Sequence, residues 1–235
     1  MENQELNTYP ELAQNLIDNK ITMVKMNQFE LLLRHSELLS SIEGDIVECG
    51  VWRGGTSIFL SHLFTEKNIW CFDSYEGFQP LTDTTYQFNG WERHTPQFTS
   101  TPEGPIGISM EEVKQHFGNY GLVDEDRIKF VKGFVNETLP NNNIDKISIL
   151  RCDVDSYSAT LDILDHLYNK VQVGGFIIFD DACLIESMEA IKEFIKSKNL
   201  PYELHHPITD EMYSLNTKIT DNDSGFPDGS YIIKK

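Results

Sequence analysis

The sequence predicts one doubly wound α/β domain preceded by a helical extension. Three observations carry that reading: short apolar runs, several of them ending at an acid, helical apolar spacing between those runs, and no internal repeat. Residues 1–42 are assigned to the extension and 43–235 to the α/β domain, with a long lid at about 77–108.

Taken in order, residues 22–41 carry Phe29, Leu32, Leu33 and Leu39 at helical spacing and predict an amphipathic helix. Asp45–Cys49 reads as a short buried strand, followed by the glycine-rich turn 50–55 and a helix through TSIFLSHLF. Ile69–Phe72 is a second strand, ending at Asp73. Residues 77–108 break the alternation. Pro80, Pro96, Pro102 and Pro105 punctuate them, and Phe78, Tyr86, Phe88, Trp91 and Phe98 are scattered without period. So long a connection within a compact domain is usually a lid, a binding loop or disorder, and the aromatics favour a lid over disorder. A plain surface excursion is the alternative.

Regular patterning returns at Ser109-Met-Glu-Glu112, a capping box that opens a helix with Val113 and Phe117 inward. Ile128–Val131 is a third strand, and Ile147–Leu150, leading to Asp153, a fourth. A helix follows with Leu161, Leu164, Leu167, Tyr168 and Val171 on one stripe, ended by Gly174-Gly175. Phe176–Phe179 is a fifth strand, terminating at Asp180-Asp181. Ile185 through Ile195 marks another helix, and 202–205 and 231–233 are the last strands.

Composition limits the function. Lys and Arg number 19 against 37 Asp and Glu, a formal charge of −18, which argues against gripping nucleic-acid phosphate or anionic membrane surfaces. Hydrophobic residues make up 40%, enough for a sizeable core. The N-terminus has no basic region followed by an apolar core, and no apolar run approaches membrane-spanning length. Cys49, Cys71, Cys152 and Cys183 form no C-x-x-C pair, so a reduced, cytoplasmic protein without thiolate zinc is expected.

Two constellations carry chemistry. In the glycine turn Trp52 stands where the middle glycine of a G-x-G-x-x-G dinucleotide fingerprint would be, and no Gly-Lys-Ser/Thr follows. What remains is Glu48 at a strand end, a glycine turn, and Asp73 at the end of the next strand. That pattern suits a nucleoside lacking phosphates, with Asp73 accepting from ribose hydroxyls; S-adenosylmethionine is such a ligand. A tight βα turn without ligand is the plain alternative. The second constellation is Asp153 with Asp180 and Asp181. If the fourth and fifth strands are neighbours, these acids emerge side by side at the sheet's carboxyl edge, a costly arrangement unless a cation relieves it. Oxygen-only donors suit Mg2+. Asp155, two residues past Asp153, could be a fourth member, and it reads as an orienting residue or a helix cap; lone acids at strand ends are most often caps.

These residues resemble the macrocin O-methyltransferase family. The resemblance lies in Asp45-Ile-Val-Glu-Cys-Gly-Val-Trp-Arg-Gly-Gly55 and Cys71-Phe-Asp-Ser-Tyr-Glu-Gly-Phe78, then in 107–113, 131–140, 150–157 and 174–181. It implies a Rossmann-like methyltransferase sheet, mostly parallel with an antiparallel last strand, and Mg2+-dependent methylation of sugar hydroxyls in antibiotic biosynthesis. By motif, Glu48, Gly50 and Thr56 would serve the methionine end of S-adenosylmethionine, with Asp153 beside it. Asp73 and Ser74 would serve the ribose, and Gly133 and Phe134 the adenine. Asp153, Asp180 and Asp181 match the family's metal carboxylates. The family's usual glycine between the fourth-strand acids is Val154 here, and 80–105 and 207–229 match nothing.

Methyl transfer to a hydroxyl needs the nucleophile activated. Chelation of two vicinal oxygens by Mg2+ would do so, with Asp153 or the lid residue His94 accepting the proton. Trp91, Phe98 and Tyr157 are the expected acceptor contacts. The expected partners are a glycosylated, hydroxylated small molecule and further copies of this chain. A catechol or small polyol as acceptor, and a non-catalytic S-adenosylmethionine-binding regulatory module, are the alternatives.

Overall fold

The computed structural model of the chain describes residues 8–78, 100–101, 104–123, 126–215 and 224–235. Along them lie α1 (Tyr9–Asp18), α2 (Met26–Arg34), α3 (Ser36–Ser41), β1 (Asp45–Cys49), α4 (Gly55–Leu63) and β2 (Ile69–Asp73). Next come β3 (Ser100–Thr101), β4 (Gly104–Pro105), α5 (Met110–Asn119), β5 (Ile128–Lys132) and α6 (Val135–Thr138). The chain continues through β6 (Ile147–Cys152), α7 (Tyr157–Leu167), β7 (Val171–Phe179), α8 (Ile185–Ser197), β8 (Leu204–His205), β9 (Met212–Tyr213) and β10 (Ser230–Ile233).

The main sheet has the order β5-β2-β1-β6-β7-β10-β8-β9. The strands from β5 to β7 run parallel, and β10, β8 and β9 join antiparallel. The chain builds outward from β1 through β2 to β5, then crosses to β6 on the other side of β1. The crevice outside the β1 and β6 carboxyl ends is therefore the topological switch point, where open α/β sheets bind ligands. Alternate residues of β1 feed two apolar clusters, Val47 one and Ile46 the other, so each face of the sheet has its own core.

The extension is part of the second cluster. Leu12, Ala13 and Leu16 of α1 and Phe29, Leu31 and Leu32 of α2 pack with Phe59 and Tyr231. Thr8 caps α1 by accepting from the Glu11 amide at 3.4 Å. The capping box of α5 is present in both directions, Ser109 to the Glu112 amide and Glu112 to the Ser109 amide.

Three boundaries differ from the sequence reading. Residues 22–41 form two helices, not one: α2 stops at Arg34, capped by His35, whose ring lies 5.0 Å from that of Phe176, and residues 22–25 precede the first turn, with Thr22, Met23 and Val24 lining a cleft instead. Val171 is the first residue of β7, not the end of the α7 stripe. Gly174-Gly175 do not end a unit either; they lie inside β7, where the pairing with β6 shifts between Ile147 and Ile149, a bulge that glycine permits. Of the expected lid, residues 79–99 and 102–103 lie outside the described residues. Among those described, no helix is long and apolar enough to cross a membrane, and all four cysteines are free.

Candidate active site

A cleft enclosing about 1250 Å³ of atom-free space, its open mouth included, lies at the switch point. Its first wall is the turn after β1. The Gly50 amide donates to the Phe72 carbonyl at 2.8 Å, and the Asp153 amide to the Cys49 carbonyl at 2.8 Å, so the ends of three strands meet here. Trp52 takes a left-handed φ of +46°, a conformation normally left to glycine. Asp73 holds it there. Asp73 Oδ2 accepts from the Val51 amide at 2.7 Å and the Trp52 amide at 3.0 Å, while Oδ1 accepts from the Tyr75 amide at 2.7 Å. A carboxylate offers about four lone-pair sites, so Asp73 keeps one for a ligand hydroxyl.

The floor is a buried ion network. Arg151, 2% exposed in mid-sheet, sends Nη1 to Glu48 Oε1 and to Asp153 Oδ2, each at 2.6 Å, and Nη2 to Asp180 Oδ1. Strand register explains the first contact, because Glu48 and Arg151 are paired residues of β1 and β6. Glu48 is 1% exposed and its second oxygen accepts from the Ser57 hydroxyl of α4. Burial raises the Glu48 pKa against the lowering effect of Arg151 and Ser57. Burial opposes the Arg151 charge too, but Asp180, Asp153 and Glu48 outweigh it and hold the guanidinium protonated.

Beside this network the carboxylate oxygens of Asp153, Asp155 and Asp181 come within 4.8 Å of one another. Asp181 Oδ2 accepts from the Val154 and Asp155 amides at 2.9 and 2.8 Å, which bends the loop after β6 and sets Asp155 at φ +52°. Burial and then the Asp180 charge push the Asp153 carboxyl well up. Burial and Asp155 do the same to Asp181. The walls of the cleft enclose Asp155 on most sides although its side chain reaches solvent; that enclosure and Asp153 raise it to about 7. Three crowded hard-oxygen donors, each unfavourably charged alone, fit a divalent cation such as Mg2+.

Comparison with known proteins agrees with this geometry. The macrocin O-methyltransferase (TylF) family model matches residues 4–212. The chain belongs to that family. It is 32% identical to mycinamicin III 3''-O-methyltransferase of Micromonospora griseorubida over 88% of this chain and 77% of that one. It is 31% identical to a rhamnosyl-tetracenomycin-C 4'-O-methyltransferase of Streptomyces olivaceus over 74% of this chain and 67% of that one. The solved structure of the O-methyltransferase NovP superposes with a TM-score of 0.71 at 27% identity, covering 91% of this chain and 82% of that one. The protein is thus an S-adenosylmethionine-dependent O-methyltransferase.

Within this macrocin-type methyltransferase, Glu48, Gly50, Thr56, Asp73, Ser74, Gly133, Phe134 and Asp153 all line the cleft, as do Asp180 and Asp181. The Ser74 hydroxyl donates to the Gly77 carbonyl at 2.5 Å and shapes the turn after β2. Tyr157 does not line the cleft. As the first residue of α7 it is buried, and its hydroxyl donates to Glu193 Oε2 of α8 at 2.5 Å. Asp180 is outside the cluster, bound to Arg151, and Asp155 takes the third place instead of acting as a cap. Ser156 is the residue that caps α7. His94, Trp91 and Phe98 lie outside the described residues.

Sequence reasoning missed Arg151, although an arginine inside an otherwise apolar strand signals buried partners. It also missed Ile21, Thr22, Met23 and Val24, the cleft wall supplied by the extension. The Gly55 amide donates to the Ile21 carbonyl at 3.1 Å and Arg53 Nη1 to the Lys20 carbonyl at 2.9 Å, which locks that wall to the glycine turn.

Proposed function

We propose that this enzyme methylates one hydroxyl of a vicinal diol on a sugar of a glycosylated small molecule, with Mg2+ held by Asp153, Asp155 and Asp181. The observation that carries the reading is the convergence of those three carboxylates within 4.8 Å in the same cleft as the cofactor turn. The names of the mycinamicin and tetracenomycin relatives, both O-methyltransferases of glycosylated natural products, support the acceptor class.

The residues divide the work along the cleft. Asp73 keeps one acceptor site for the ribose, Gly133 and Phe134 flank the adenine, and Glu48 faces the methionine end. A divalent cation bound at the acids supplies the positive charge that lowers an acceptor hydroxyl's pKa. Asp155, open to the cleft, takes the hydroxyl proton. It replaces Asp153 in that role because Asp153 Oδ2 is already bonded to Arg151. Alignment of the oxygen behind the sulfonium methyl is then a matter of positioning, the main lever for in-line transfer. A homo-oligomer in a reduced, cytoplasmic setting completes the proposal, supported for the redox part by four free cysteines.

Methyl transfer from labelled S-adenosylmethionine to a panel of glycosides and catechols, with and without EDTA, tests it. The expected result is transfer to glycosides that EDTA abolishes and Mg2+ restores. Preference for catechols would overturn the acceptor class, and full turnover in EDTA the metal.

A further inference from the structure

The segment between α1 and α2 is anchored at its two ends to the two halves of the site. At its start Lys20 takes a φ of +56°. The Lys20 and Ile21 amides donate to the Ile17 and Leu16 carbonyls at 2.9 Å each, which ends α1 in a left-handed cap. The carbonyls of the same two residues are taken by Arg53 and by the Gly55 amide of the glycine turn. A Cβ on Gly55 would stand 2.6 Å from Thr22 Cβ, so turn and segment are in direct contact. At the other end Lys25 Nζ lies 3.6 Å from Asp228 Oδ2, and a Cβ on Gly229 would meet the Gln28 side chain at 2.9 Å. The Gly229 amide in turn donates to the Phe179 and Asp180 carbonyls at 2.9 and 3.2 Å. The segment therefore crosses from the glycine turn to the acid end of β7.

Between those anchors the side chains part. Thr22 and Val24 are buried, and the Thr22 hydroxyl accepts from the Val24 amide at 3.1 Å. Met23 is 47% exposed and lines the cleft. A single exposed apolar side chain needs no explanation on an open surface, but this one stands in a cleft wall, midway between the cofactor turn and the acids. Val154, the apolar residue of the acid loop, packs against the core instead. We infer that Met23 is a specificity-determining residue that contacts the acceptor. A pyranose gives its hydroxyls to polar groups and its C–H face to an apolar surface. Met23 supplies that surface from the extension, and its unbranched thioether adapts to rings of differing shape. This rests on the proposed methylation of a glycoside and adds the residue that meets the sugar's apolar side.

The test is steady-state kinetics of the full chain, Met23→Ala and Met23→Leu with methyl glycosides bearing vicinal diols and with catechols. For the glycoside methylated best, Met23→Ala is expected to raise KM about tenfold, the effect of losing a methylene or two from an apolar contact. An unchanged kcat should accompany it, the signature of uniform acceptor binding. Met23→Leu, which keeps an apolar surface, should restore most of the KM. Calorimetry should give the same Kd for S-adenosylmethionine in all three chains, and thermal unfolding the same Tm. An unchanged KM in Met23→Ala overturns the proposal. So does a loss of S-adenosylmethionine affinity as large as the rise in KM, which would set Met23 against the cofactor. A lowered Tm with no rescue by leucine would make the residue a support of the wall and overturn it too. A chain that methylates catechols and no glycoside removes the acceptor class and this contact with it, a failure seen before any substitution is made.

Discussion

Gly50 and Asp153 touch backbone to backbone. A Cβ built on Gly50 would stand 1.5 Å from the Asp153 carbonyl oxygen, and Gly50 holds a φ of +86°. The glycine turn and the acid loop are thus one structure, joined where β1 and β6 end. Gly50→Ala cannot be absorbed by rotating a side chain, because the obstacle is main chain. The expected cost is at least about 1–3 kcal/mol of stability from backbone strain, together with loss of S-adenosylmethionine binding. Thermal unfolding and calorimetry of the purified variant check both. Wild-type affinity in Gly50→Ala would show that the two loops can separate without consequence.

Asp73 spends three of its acceptor sites on amides of the protein, which leaves one for the proposed bond to the cofactor. An asparagine there has one acceptor oxygen and presents an NH2 group to amides that need acceptors. Asp73→Asn should therefore destabilise the fold by about 1–3 kcal/mol, the usual cost of stranding buried donors. It should also raise the Kd for S-adenosylmethionine, because Trp52 loses the anchor of its left-handed conformation. Denaturant titration and equilibrium binding separate the two effects. A variant with lowered affinity and undiminished stability would mean that Asp73 serves the ribose alone.

Glu48 and Ser57 form the link between the floor of the site and α4. Ser57→Ala removes the donor and leaves Glu48 Oε2 buried without it, while Arg151 still holds Oε1. Leaving one buried acceptor unmet costs about 1–3 kcal/mol. The expected phenotype is a lower melting temperature with S-adenosylmethionine affinity reduced less than in Gly50→Ala, since the turn itself is intact. Equal affinity losses in the two variants would assign Ser57 a direct part in cofactor binding.

Much of this arrangement was legible in the sequence, and what was not had physical causes. Asp45–Cys49 reads as a buried strand because no polar residue interrupts Ile46-Val47, and Ser109 with Glu112 announces a helix start by chemistry alone. The placement of Asp153 beside Asp180-Asp181 followed from strand adjacency, which β6–β7 pairing provides. Arg151 escapes a reading of the sequence because its meaning is collective: its partners come from β1, from two residues further along its own chain, and from the turn after β7. Asp155 reads from the sequence as an orienting residue or a helix cap because its place in the cluster depends on a left-handed backbone that Asp181, just past the neighbouring β7, imposes. The late start of the helix, after residues 22–25, is likewise a tertiary effect, since the Gly55 amide captures the Ile21 carbonyl just before them.

Arg34 of α2 clasps Asp210, with Nε at 3.1 Å from Oδ2 and Nη2 at 2.8 Å from Oδ1, and Tyr231 adds its hydroxyl at 2.8 Å. This joins the extension to the antiparallel edge of the sheet. Partial burial works against the Asp210 charge, but the hydrogen bonds from Arg34, Tyr231 and His35 outweigh it and hold the carboxyl well below the usual carboxylate range. A group depressed in the folded state contributes its stability above its unfolded pKa of about 3.9 and loses it as pH falls below that value. Both partners are about a third exposed, so solvent screens the pair and its net contribution is about 1 kcal/mol. Asp210→Asn should lower stability by that amount at pH 7, and its difference from the unaltered chain should shrink as pH drops from about 4 toward 2. Urea unfolding across that range measures it. A difference that stayed constant down to pH 2 would show that the Asp210 contribution is packing of the side chain and not its charge.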